Sequence, residues 1–171
     1  NPENERATRT IDAAVVPDHG LSGIIVGTRA IGPKESLYGI EAKRLPTSND
    51  GPKIREREYI VGRWDEKNNR KKSISGGIER FKESHHSPTL LRSAIIAFVQ
   101  ERDFSIWERR LQSWINELVS HPIPSHKARW AQSDHLALIS SSGNLAELAS
   151  THDRNSGEGI DLKHFWLKCW D

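Results

Sequence analysis

The chain has 171 residues, 35% apolar and 28% charged, and 25 Lys and Arg against 23 Asp and Glu leave a formal charge of +2. That length suits one domain with a real core, and six Trp, four Phe and regular apolar patterns argue against disorder despite a mean hydropathy of −0.66. No apolar run reaches the roughly 20 residues of a membrane span. The single Cys169 excludes an internal disulfide framework and a multi-Cys zinc site, and a near-neutral balance means that any nucleic-acid affinity must come from local clustering.

The stretch Asn1–Glu5 carries no secretory apolar region, and the absence of Met marks the sequence spacings as minimum values. Thr8 to Val16 is the first predicted strand, with Asp12 inside the apolar run Ile11–Val16 and Pro17 as its stop. Ile24–Val26 is a short strand after a Gly-rich stretch, and Leu37–Leu45 is a longer strand with charges toward its end. Pro46 to Pro52 reads as a loop, Tyr59–Val61 as a short apolar patch, and Arg63 to Lys72 as an exposed polar segment with a basic tip, Arg70, Lys71 and Lys72.

Ser75 to Ser84 is a predicted short helix, and Ser93 to Gln100 is apolar enough for a buried central strand. Phe104 to Val119 is the clearest helix, because Phe104, Trp107, Leu111, Trp114, Ile115 and Leu118 recur on one face. Asp103 or Ser105 caps it, the latter in a capping box with Glu108, and His121–Pro122 ends it. Leu136 to Ser140 is a strand, Leu145 to Ala149 an apolar patch of either type, and Ile160 to Cys169 a closing strand. The layout is α/β or α+β.

Two segments carry the chemistry. Alternate side chains of a strand share a face, so Glu41 and Lys43 project together and Ala42 points away. If the strand of Asp12 pairs beside them, two carboxylates and an amine converge. Two carboxylates suit a hard divalent ion such as Mg²⁺, and a neighbouring lysine orients or deprotonates an attacking water.

Glu41-Ala42-Lys43, preceded by Tyr38-Gly39-Ile40 and followed by Arg44-Leu45, resembles the signature strand of the PD-(D/E)xK, or restriction-endonuclease-like, nucleases. Asp12 resembles that family's upstream aspartate, and Gly77–Phe81, Ala94–Val99, Ser150–Arg154 and His164–Leu167 look like segments of bacterial restriction-like proteins. The resemblance implies an α/β fold, a mixed sheet flanked by helices, formed by residues 1–171 as one nuclease-like domain whose first helix is short or missing. It implies Mg²⁺- or Mn²⁺-dependent hydrolysis of DNA in bacterial, cytoplasmic defence, with a homodimer or protein subunits of a defence complex as partners and no membrane. By motif, Asp12 and Glu41 bind metal, the Ala42 carbonyl adds a ligand and Lys43 positions the water; by charge, Arg44, Arg70, Lys71 and Lys72 suit a nucleic-acid backbone, the run Arg70–Lys72 reading equally as a solvated loop. Asp18, in the literal Pro17-Asp18 pair, rivals Asp12, which is preferred because it lies in an apolar strand whereas Asp18 sits before His19-Gly20 in a turn. Glu5 is a weaker substitute for the acid of the first helix.

Other readings stand beside these. Glu41 and Lys43 alone describe an edge-strand ion pair, and Asp12 a strand-end cap or a partner of Arg9. His85-His86 and Asp134-His135 read as surface residues, and His152 and Arg154 as a strand-end turn or a phosphate contact. Trp107 and Trp114 read as core, and Cys169 as a small hydrophobe. No Gly-x-Ser-x-Gly elbow, Walker loop or Rossmann fingerprint occurs, which removes those enzyme classes. The alternative function is a catalytically silent subunit of the same fold that binds DNA or a protein partner, and a third reading is an immunity- or antitoxin-like partner of another protein.

Overall fold

The computed structural model describes residues 13–16, 24–26, 29–31, 37–46, 57–62, 64–65, 70–71, 76–123 and 127–170. Glu5, Asp12, Asp18 and Lys72 lie outside the described residues.

The main sheet has six strands, β1 (Ala13–Val15), β4 (Tyr38–Leu45), β7 (Arg92–Val99), β10 (Gly159–Lys168), β9 (Leu145–Asp153) and β8 (Ala137–Ser142), in that spatial order. Its centre is parallel: Glu41 pairs with Ile95 between β4 and β7, and Ile95 with His164 between β7 and β10. Both flanks are antiparallel, with β1 on β4 through Ala13↔Ile40 and β8 and β9 following β10 as a meander. Two small sheets pair β2 (Ile24–Val26) with β3 (Arg29–Ile31) and β5 (Trp64–Asp65) with β6 (Arg70–Lys71). The helices are α1 (Gly77–Lys82) and α2 (Phe104–Ser120). The expected mixed α/β sheet is therefore present.

Alternation decides which side chains meet the helices. Ile95, Ala97 and Val99 of β7, Leu148 of β9 and Ile160, Leu162 and Trp166 of β10 join Ile78 and Phe81 of α1 and Trp107, Leu111 and Ile115 of α2 in one buried cluster. Among the described residues both helices thus cover the same face of the sheet. Phe98, at an alternate position of β7, remains 39% exposed. Trp107 and Trp114 are core, as their spacing predicts.

One local expectation differs from the structure, and one open reading is settled by it. The helix α2 begins after Asp103, and no side-chain cap bond forms there, so the Ser105–Glu108 box is not used. Instead the Trp107 Nε1–H donates to the Glu101 carbonyl at 2.7 Å and ties the approach to the helix. The patch Leu145 to Ala149 is the first part of β9, whose strict burial alternation continues through polar Ser150 and His152. No described helix is long and apolar enough to cross a membrane.

Candidate active site

Strand β4 places Glu41 and Lys43 on the helix-covered face, and Lys43 Nζ lies 2.6 Å from Glu41 Oε1. Glu41 is 1% exposed, and sealing a carboxylate from water is costly unless it is paired. A second cation reaches the same oxygen from α1, where Arg80 Nη1 lies 2.8 Å away. His86 closes the cluster, with Nε2 3.5 Å from Glu41 Oε2 and 3.4 Å from Arg80 Nη1. Its ring packs against Phe81, with centroids 5.7 Å apart.

Two glycines and one acid hold the N-terminal part of α1 close to the neighbouring backbone. A β-carbon on Gly76 would lie 2.3 Å from the Val61 carbonyl carbon, and one on Gly77 would lie 2.7 Å from the Tyr59 carbonyl oxygen, so the helix approaches the Tyr59–Gly62 backbone as only glycine allows. Glu79, fully buried, accepts the Gly62 N–H at 2.7 Å, and its own N–H donates to the Ile60 carbonyl at 2.9 Å. Beyond α1, Arg154 donates to the carbonyls of Ser87, Pro88 and Leu90 and so clamps the loop that follows His86.

A second buried polar group runs from α1 to the sheet. Lys82 Nζ donates to Asp134 Oδ1 at 2.6 Å, and both side chains are 1% exposed. Asp134 sits in a 3₁₀ turn, Gln132–Asp134, and also accepts the Ala131 N–H at 2.7 Å. His152 Nδ1 lies 2.6 Å from the same Oδ1, and Ser150 Oγ lies 2.6 Å from His152 Nε2 and 2.7 Å from His164 Nε2. Tyr59 Oη is 2.7 Å from His164 Nδ1 and accepts the Trp166 Nε1–H at 3.0 Å.

Charge fixes the direction of every bond in this series. Burial raises the Asp134 carboxyl, but its bonds with His152 and Lys82 outweigh that and leave it below the ordinary value. An ionised carboxylate only accepts, so His152 carries its proton on Nδ1. Burial holds the His152 imidazole below its usual value and His164 down at about 3, with the neighbouring His152 adding to the latter. Both rings are therefore neutral at pH 7, and one nitrogen of each is an acceptor. Ser150 then donates to His152 Nε2 and accepts the His164 Nε2–H, and Tyr59 donates to His164 Nδ1. All donors in the series lead toward Asp134.

Several sequence expectations change here. His86 and Asp134 are not surface residues but 2% and 1% exposed. His152 belongs to β9, and Arg154 is committed to three backbone carbonyls, which leaves the phosphate-contact reading of this pair without geometric support. Arg44 is exposed, one strand position out of phase with Glu41 and Lys43, and Ala42 likewise faces away. Arg70 and Lys71 lie in the separate β5–β6 sheet. Arg80 and His86 are the site residues that the sequence reading missed. Arg80 lies on the predicted helix three residues after Gly77 and next to Phe81, but Glu79 and Lys82 share that helix, and no local signal separates it from them.

Ser150, His152 and Asp134 also reproduce the atom order of a Ser–His–Asp triad without a Gly-x-Ser-x-Gly elbow. Ser150 is 6% exposed on a strand that faces the helix layer, and its oxygen is bonded on both sides by histidines. A nucleophile needs a free path to its substrate, so the group reads as a buried polar series.

No protein-family model, curated protein or solved structure matches the chain.

Proposed function

We propose that the chain is a divalent-metal-dependent nuclease of restriction-endonuclease-like fold, hydrolysing DNA phosphodiesters at the Glu41–Lys43 face of β4. The observation that carries the reading is the buried Glu41 carboxylate with Lys43 Nζ at 2.6 Å on a parallel strand of a mixed sheet. The register supports it, because Ala13 pairs with Ile40, and these residues are the sequence neighbours of Asp12 and Glu41.

The donor chemistry fits a hard divalent cation, since Glu41 offers carboxylate oxygens and Ala42 a peptide oxygen. Among the described residues no group of three His, Cys, Asp or Glu could hold a metal, so the reading requires a further carboxylate from outside them, Asp12 or its rival Asp18. When bound, Mg²⁺ or Mn²⁺ supplies Lewis acidity and a water of lowered pKa. Lys43 orients the attacking water, and Arg80 offers a forked guanidinium to the charge that builds on the phosphoryl oxygens. A place in bacterial defence, with DNA and protein partners in the cytoplasm, rests on the resemblance.

The test is Mg²⁺-dependent nicking of plasmid DNA by the purified chain, with Lys43→Ala as control. Nicking by the parent and its loss in the variant support the reading, and a variant that cuts as fast as the parent removes Lys43 from the mechanism. The second reading, a silent subunit that binds DNA or protein, is favoured by the burial of Glu41 beneath Lys43 and Arg80. It predicts no nicking in any divalent metal and DNA affinity indifferent to Asp12→Asn.

A further inference from the structure

The helix α1 is six residues long, far too short to hold its own shape in water, so its placement is set by what grips its side chains. Two of those grips are cations two residues apart. Arg80 reaches the buried Glu41, and Lys82 reaches the buried Asp134 on the far side of the helix. Lys82 is gripped further through its carbonyl, which accepts the Asn155 N–H at 3.2 Å, and its ammonium lies 5.2 Å from the Trp130 ring centroid.

We infer that Lys82 and Asp134 are a positioning pair for the Glu41 site: the one-way hydrogen-bond series from Trp166 through Tyr59, His164, Ser150 and His152 fixes Asp134, Asp134 fixes α1 through Lys82, and α1 thereby holds Arg80 on Glu41. This rests on the reading of Glu41 as the reaction centre only for its consequence in catalysis; the geometric coupling stands without it. The physical reason is the shared rigidity of a short helix. A carboxylate that accepts from Lys82, His152 and Ala131 has three partners from three directions, so its oxygens are fixed, and a charge-assisted bond to a fixed oxygen fixes the lysine. A rotation of α1 carries the stems of Arg80 and Lys82 with it, so it shifts both contacts at once.

The experiment compares the parent chain with Asp134→Asn, which keeps the shape of the side chain but removes its charge. In metal-free buffer, side-chain NMR follows the Arg80 guanidinium and His86 ring resonances, which report on the Glu41 cluster directly. In Mg²⁺, DNA cleavage is resolved into kcat and KM. The expected result is displaced Arg80 and His86 resonances, with kcat at least tenfold lower and KM within twofold. A folded Asp134→Asn protein whose Arg80 and His86 resonances and kcat match the parent overturns the proposal. A purely structural role lowers the melting temperature and leaves those resonances in place below it. Should Asp134→Asn fail to fold, Lys82→Met leaves Asp134 with His152 and Ala131 and is read the same way. If the parent shows no cleavage, the nuclease reading fails by itself, and the resonances alone decide the coupling.

Discussion

Arg80 and Lys82 project from one short helix to two different buried carboxylates, Glu41 at 2.8 Å and Asp134 at 2.6 Å. One of these carboxylates belongs to a strand of the parallel centre, the other to a 3₁₀ turn that leads into the antiparallel flank. The helix therefore bridges the two halves of the sheet by charge as well as by the apolar contacts of Ile78 and Phe81.

If the nuclease reading holds, loss of either group on β4 slows cleavage more than it lowers the folded fraction. Glu41→Gln and Lys43→Ala are each expected to lower the rate of Mg²⁺-dependent cleavage by about 10²–10³-fold, the range seen when one group that stabilises developing charge is removed. Gel-based nicking rates, beside far-UV circular dichroism, check this.

Acid should unfold the protein earlier than its carboxylates alone would. His152 and His164 are held below the ordinary imidazole value in the folded chain, His164 at about 3. Between about pH 6.5 and 3 the unfolded chain binds protons that the folded chain does not, so stability is complete above this window and is lost as pH falls through it. The loss from His164 alone is on the order of 3 kcal/mol by pH 4. Urea unfolding from pH 7.5 to 4 checks the slope, and His164→Gln should be less stable at pH 7 yet show a shallower dependence.

The tautomers are a separate expectation. Long-range ¹⁵N–¹H correlation at pH 7 should show His152 protonated on Nδ1 and His164 on Nε2, both neutral. A cationic ring, or the opposite tautomer of His164, would contradict the direction of the series.

Gly76→Ala should be destabilising by about 1–3 kcal/mol, because its new methyl would overlap the Val61 and Gly62 backbone at 2.3–2.4 Å and the helix must retreat. Retreat of α1 also withdraws Arg80 from Glu41. Thermal stability and cleavage rate should consequently fall together, whereas an alanine at Gly143, whose φ of +55° makes it a strained site far from α1, should lower stability and leave cleavage unchanged.

Lys82→Ala leaves a buried carboxylate without its ammonium partner and is expected to cost about 3–5 kcal/mol. Denaturant titration measures it. The exposed Arg57–Glu117 pair offers the contrast, since an Arg57→Ala change there should cost about 0–1 kcal/mol.

Periodicity along the chain was sufficient for β4, β7, α2 and β10, whose apolar spacing is strong and local. It was sufficient too for the shared face of Glu41 and Lys43, because strand alternation is a property of the backbone itself. It could not separate a buried polar residue from a solvated one. His86, Asp134 and His152 look like surface residues in the chain because the partners that make their burial tolerable, Glu41, Lys82 and Ser150, come from other elements or lie across a strand pleat. Residue types and local spacing alone determined β4, β7, β10 and α2 and the shared face of Glu41 and Lys43, but not the short strands β3, β5 and β6. The tertiary fold alone decided that Arg80 and His86 join them and that a seven-residue polar series lies beneath, since burial and long-range charge pairing exist only once distant segments are packed together.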